Sequence, residues 1–325
     1  MRRLSLCLAV AVTALAVAPS AFADGPIYVT QGGAGVTSQN GAFHYVALSN
    51  GTGATLLVKV YTAGTAVYGS MTLPGSWGTA LIGNGGEAGQ GLSRDGRTLV
   101  LESTSGPLGS SAKFLVVDPM HWKVLRRITL RGSFTFDTLS PDASKMYLIQ
   151  YTASNDLTHY IVREYDLRTG RLLPGKIAAR DEDRNESTMA GYALTRTTSA
   201  NGRWVYTLYQ KPSGMPFVHA LDTVGGVAHC IDLPWSKRGD LYNVVLSLRN
   251  DDRTLAVHWR RGRPLLNVAV GSWQISEAGG GGFPWAWMGF TIGGALALLA
   301  AGALLLWRRR NKEVEQHARQ ELGLA

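Results

Sequence analysis

LSPDASKMYLIQYTASNDLTHYIVREYDLRTGRLLPGKI, residues 139–177, closes one apolar run at Ser140, turns through Pro141 and Asp142, and resumes in a run rich in β-branched and aromatic residues. Proline presets φ and aspartate bonds its own backbone, which is the chemistry of a tight turn. Residues 160–165 then alternate toward Asp166, residues 167–170 turn, and residues 171–177 return, as in a second hairpin. The unit reads as four antiparallel strands.

Weaker copies of this unit run from about Val36 to Ile275. The serine of the first turn marks them: Ser38 in TSQNGAFHYVAL, Ser93 in LSRDGRTLVL, Ser140, Ser199 in TSANGRWVYTL and Ser247 in LSLRNDDRTLAV. Second halves follow at 56–73, 113–130, 160–177 and 216–233, with Asp118, Asp166 and Asp222 just before the turn. A period of roughly fifty residues with four strands in each is the signature of propeller blades. The expected fold is all-β, a β-propeller of about five four-stranded blades, followed by one C-terminal transmembrane α-helix. Extra strands within 73–89 and 177–190 would make six or seven blades, and a two-sheet sandwich is the other alternative. In the fifth repeat, strands fall near 241–247, 253–259 and 265–270. Its fourth comes either from 272–276 or from N-terminal residues 26–30, which would close the ring and remove an open sheet edge.

LSRDGRTLVL with KFLVVDPMHWKVL, and LSPDASKMYLI with YIVREYDLRTGRL, resemble the repeats of YVTN-type and WD-repeat-like β-propellers of bacterial exported proteins. The resemblance covers nearly all of residues 24–277 and implies a binding platform, scaffold or sensor, and less often an enzyme. The Trp-Asp dipeptide and Gly-His pair of the eukaryotic repeats are absent.

Both ends point to the membrane. Residues 1–23 combine Arg2 and Arg3, an apolar run and the small-residue exit Ala21-Phe22-Ala23, the pattern of a cleaved signal peptide; a retained first membrane helix is the alternative. Residues 278–284 read as a Gly-rich tether. Residues 285–307 carry no charge over a length that spans a bilayer, with Trp285, Trp287 and Trp307 at the interfaces. Arg308, Arg309 and Arg310 follow, which places the tail, 308–325, in the cytoplasm.

The chain has 32 Lys+Arg against 23 Asp+Glu, a formal net charge of +9. Much of the excess sits in the signal and the membrane flank, and no basic stripe suggests nucleic acid as a partner. There are two cysteines, and signal cleavage leaves only Cys230, so no internal disulfide is expected and a buried, inert thiol is the reading.

Chemistry is sparse. No G-x-S-x-G, H-E-x-x-H or Walker motif occurs. Residues 181–187 are rich in oxygen ligands but lack the alternation and turning glycine of a calcium loop; Asn185-Glu186-Ser187 is formally a glycosylation sequon. His44, His121, His159, His219, His229 and His258 show no metal-ligand spacing, although His219 and His229 flank one hairpin and could meet across it. On the inner strands 91–93, 136–140, 193–197 and 243–247 the only charges are Asp137 and Arg196, which weighs against a hydrolase or lyase. A sensory ectodomain would need a membrane partner, because the tail is short. No catalytic residue, cofactor or metal is expected.

Loops between first and second strands are short. Those between second and third are mostly long (49–54, 103–112, 151–159, 210–215, 260–263), and the connections 74–89, 178–190 and 234–240 open at the same end. Long loops gathered on a rigid scaffold are where binding usually resides. Trp77, Tyr209, Lys211, Trp235, Lys237, Arg238, Arg260, Arg261 and Arg263 are the candidate partner-binding residues, since aromatics with arginine make interface hot spots; Trp77 and Trp235 alternatively wedge between blades. The expected function is a single-span, extracytoplasmic, non-enzymatic module that binds a protein or an envelope polymer through the long-loop face.

Overall fold

One turn, built four times, sets the hairpins of the repeat. In Ser38-Gln39-Asn40-Gly41, Ser93-Arg94-Asp95-Gly96, Ser140-Pro141-Asp142-Ala143 and Ser199-Ala200-Asn201-Gly202, the serine hydroxyl donates to the Asn or Asp two residues on, at 2.8, 2.6, 2.7 and 2.8 Å. It also accepts the backbone N–H five residues on. The fourth position takes a positive φ each time, 68° at Gly41, 70° at Gly96, 52° at Ala143 and 75° at Gly202, the left-handed region that glycine enters without steric cost.

These turns belong to a computed structural model that describes residues 29–278 except 65, 81–90, 107–108, 154, 178–188, 236–239 and 263. The signal peptide, most of the tether, the span and the tail fall outside the described residues, and among those described no helix is long and apolar enough to cross a membrane. The chain divides into two compact units, one ending at Tyr242 and the other beginning at Asn243.

The first unit holds four antiparallel sheets in chain order. The first is β1 (Val36–Thr37), β2 (Phe43–Ser49), β3 (Ala54–Tyr61) and β4 (Val67–Pro74); the second is β5 (Trp77–Thr79), β6 (Leu99–Ser103), β7 (Ser111–Asp118) and β8 (Lys123–Arg131). The third is β9 (Phe134–Leu139), β10 (Lys145–Ala153), β11 (Asp156–Asp166) and β12 (Arg171–Leu172), with β13 (Met189–Ala190) also paired to β11. The fourth is β14 (Tyr192–Thr198), β15 (Trp204–Gln210), β16 (Pro216–Asp222) and β17 (Val227–Asp232).

Each sheet packs on the next through a separate apolar cluster. Tyr45, Leu57 and Leu73 meet Trp77, Leu99 and Leu115 between the first and second sheets. Phe114, Val116 and Ile128 meet Phe134, Phe136 and Met146 between the second and third. Tyr147, Tyr160 and Val162 meet Tyr209, Phe217 and Leu221 between the third and fourth. The middle sheets are thus covered on both faces, which is why Phe114 to Val117 and Met146 to Ile149 are buried without alternation. Outer strands such as β8 alternate exposed residues with half-buried ones, only Ile128 being buried, and carry Lys123, Arg127 and Arg131 outward, charges that keep an edge from pairing with another chain. Four-stranded sheets stacked in series are the arrangement of propeller blades, and not of a two-sheet sandwich.

The described parts of the long connections hold strand that joins existing sheets. Within the 73–89 connection, β5 pairs with β6, and an isolated bridge from Leu92 to Leu99 continues the same ladder beyond 81–90. At the end of 177–190, β13 pairs with β11.

The second unit holds one sheet, β18 (Val244–Arg249), β19 (Thr254–Trp259), β20 (Pro264–Ala269) and β21 (Ile275–Glu277). Its fourth strand comes from the C-terminal choice, at 275–277, since β21 pairs with β20. Ser247 is not a turn residue: it lies within β18 and shares a 3.0 Å hydrogen bond with His258 Nε2. The turn follows at Asn250, Asp251 and Asp252, with φ of 53°, 55° and 64°; short polar side chains tolerate this region better than most.

Candidate functional site

The inner strands of the first unit carry a buried polar layer. Asp137 on β9 and Arg196 on β14 are 3% and 5% exposed and form an ion pair between the third and fourth sheets. Arg196 donates to the Asp137 carboxylate and carbonyl, and through Nε to Thr207 Oγ1 at 3.0 Å. Glu102 on β6 accepts from Thr135 Oγ1 at 3.1 Å and from the Phe136 N–H at 3.0 Å. Burial pushes its carboxyl up to about 7, with both hydrogen bonds working the other way. His219 on β16 is enclosed, and burial lowers it to about 4, so it stays neutral at pH 7. These three inner-strand charged groups, Asp137, Arg196 and Glu102, are therefore held by each other or by hydrogen-bond donors, an arrangement suited to fixing the sheets.

A recess opens at the end where the serine turns lie. It has a volume of about 250 Å³ and is walled by the turns of the second, third and fourth sheets, with Gln39 added from the first. Leu92, Leu139 and Pro141 supply apolar wall, Thr198 and Ala200 lie at exposed positions, and Arg196 borders it from the interior. The turns come close: a Cβ placed on Gly202 would stand 2.8 Å from Arg94 Cδ and 3.6 Å from Pro141 Cγ. Arg94 therefore reaches from the second sheet's turn to the fourth's, past that of the third.

The sequence-predicted residues occupy different places. Trp77 lies on β5, 8% exposed within the cluster between the first and second sheets, with its indole N–H donating to the Pro74 carbonyl at 2.7 Å. Tyr209 is buried on β15, stacked between Tyr160 and Phe217 at 5.2 Å from each. These two aromatics belong to separate clusters. Lys211 follows β15, half-buried, and pairs with Asp232 at 2.7 Å. Trp235 is half-buried after β17, while in the second unit Arg260 and Arg261 are exposed. Lys237, Arg238 and Arg263 lie outside the described residues, as does the acidic stretch 181–187.

His219 and His229 do not meet. In the β16–β17 register His219 stands opposite Cys230 and Ala220 opposite His229, so the two rings point to opposite faces. Cys230 is half-buried, its Sγ 3.9 Å from Met189 Sδ. Among the described residues no group of three or more His, Cys, Asp or Glu is placed to hold a metal ion.

Sequence reasoning found Asp137 and Arg196 by their place on inner strands, but missed Glu102, Arg94 and the recess. The signal for Arg94 was its place one residue after the marker serine, as with Gln39, Pro141 and Ala200. All four line the recess.

No protein-family model matches the chain, and no characterised protein matches it in sequence. Solved structures match in fold. The β-propeller domain of Cps50 (Swd1) from Myceliophteria thermophila is 12% identical, over 75% of this chain and 67% of that one, with a TM-score of 0.44. A putative TolB from Agrobacterium tumefaciens is 11% identical, over 78% and 80%, with a TM-score of 0.41. TolB from Acinetobacter baumannii is 14% identical over 76% of this chain, which spans about half (54%) of that protein, with a TM-score of 0.41. The class the fold defines is an all-β, propeller-like protein.

Proposed function

We propose that the chain is an exported binding module: a signal peptide at 1–23, a YVTN-like propeller at 24–277, a tether, a single span at 285–307 and a cytoplasmic tail. It takes hold of a protein or an envelope polymer without chemical turnover. The observation that carries this reading is the recess, a concave site on rigid turns of successive sheets, bordered by interior charges already engaged with one another. Preformed concavities with a few placed polar groups are the usual form of a binding site.

The recess lies at the short-turn end of the sheets, whereas the sequence points to the long-loop end. Trp77 and Tyr209 pack inside the molecule, which removes two aromatic anchors from the loop surface. Lys211, Trp235, Arg260 and Arg261 remain the competing candidates. The test is capture from an envelope extract by the detergent-solubilised full chain, beside Ala200→Trp, which fills the recess from an exposed position, and Arg260→Ala/Arg261→Ala. Loss of one identified partner in Ala200→Trp alone, at unchanged melting temperature, is expected. Capture that survives Ala200→Trp and falls with the arginine pair would move the site to the loops. No capture by the parent would overturn the binding reading.

A further inference from the structure

We infer that the recess receives an oxyanionic group, a carboxylate or a phosphate, and that Arg94 holds it; this rests on the recess being the binding site proposed above. The residues around the recess include two arginines and no carboxylate. Its hydroxyls are mostly spent. Ser93, Ser140 and Ser199 each donate to Asp95, Asp142 or Asn201 and accept a backbone N–H. The two aspartates aim their carboxylates into their own turns, where Asp95 also accepts from the Arg97 N–H and Asp142 from the Ser144 N–H and hydroxyl.

Arg94 differs from all of these. Among the described residues it has neither an ion pair nor a hydrogen bond, and its exposed side chain lies against Gly202 of the fourth sheet's turn. Arg196 adds a second guanidinium, with five N–H donors in principle, of which Asp137 and Thr207 take three. A planar guanidinium matches a carboxylate or phosphate with two parallel hydrogen bonds, and the apolar wall of Leu92, Leu139 and Pro141 keeps that interaction from being fully screened. A volume of about 250 Å³ suits one small acid, or one acidic group presented by a larger partner.

The experiment is calorimetric titration of the detergent-solubilised full chain with inorganic phosphate, with succinate, and with an aspartate-containing peptide beside its asparagine counterpart. The expected result is saturable binding of at least one oxyanion, weakened roughly tenfold or more in Arg94→Gln, as for loss of a hydrogen bond to a charged group. Arg94 is exposed, so that variant keeps its fold, and an unchanged melting temperature checks this. Uptake of free phosphate or succinate identifies a small-anion site; uptake of the aspartate peptide alone identifies an acidic group carried by a partner. Equal binding by Arg94→Gln and parent, or no saturable uptake of any probe, overturns the inference. The envelope capture separates the two readings: a partner lost in Ala200→Trp but kept in Arg94→Gln leaves the recess standing without its oxyanion. A partner kept in both removes the recess as well.

Discussion

Glu102 and Lys59 are the two residues whose burial runs most against their charge. Lys59 on β3 is 1% exposed, its ammonium 4.0 Å from the centre of the Phe43 ring, 4.5 Å from that of Tyr68 and 3.5 Å from Met120 Sδ. Burial lowers its pKa, and the ring faces replace part of its hydration. The alternation Thr55, Leu57, Lys59 puts Lys59 on the inward face of β3; the rings that shield it, Phe43 and Tyr45 from β2 and Tyr68 from β4, are not legible together before the strands pair. Asp137 and Arg196 were legible as inner-strand charges, but their pairing crosses 59 residues of chain. Glu102 closes the apolar run LVLE and reads as a strand end. Its carboxyl binds a proton in the folded state between pH 4.5 and about 7 that the unfolded chain has lost, so its contribution to stability falls as pH rises through that window. The whole shift corresponds to about 3 kcal/mol. Chemical denaturation at pH 5 and pH 8 should show the parent losing more stability than Glu102→Gln by up to about that amount; parallel losses would mean that Glu102 titrates normally.

At the scale of elements, the four serine turns were fully legible, because serine, Asx and a left-handed fourth residue act within six residues. The fifth turn lies where the sequence placed it, between strands near 241–247 and 253–259, but three successive left-handed residues replace the serine pattern there and leave Ser247 in a strand. Strands β5 and β13 were also concealed. Three residues and two residues long, they are too short for alternation to declare them, and they exist because an open ladder beside them offers partners. Trp77 shows the consequence: by sequence it stands on a connection, open to partner contact or to wedging between blades, and in the structure it packs between the first and second sheets. Its replacement by alanine should cost about 3–5 kcal/mol in urea unfolding, the range for a buried large aromatic. By contrast, Arg261→Ala should stay within about 0.5 kcal/mol. If Trp77→Ala unfolds at the parent's urea concentration, Trp77 does not anchor the first two sheets.

Across the first unit as a whole, the repeat period carried the architecture, because each of its sheets packs against the next through its own apolar cluster and so repeats the apolar pattern. What the period could not reveal is which end of the stacked sheets works. Loop length pointed to one end, where Trp77 and Tyr209 turn out to be packing; the recess sits at the other, made by turns too short to draw notice singly. That contrast is the central claim, and site-specific photo-crosslinking tests it most directly. A benzophenone amino acid placed at Thr198, beside the recess, or at Lys211, on the loop after β15, is irradiated in the full chain with envelope extract. The account predicts a partner adduct from position 198 and none from 211. Adducts from 211 with none from 198 would contradict it.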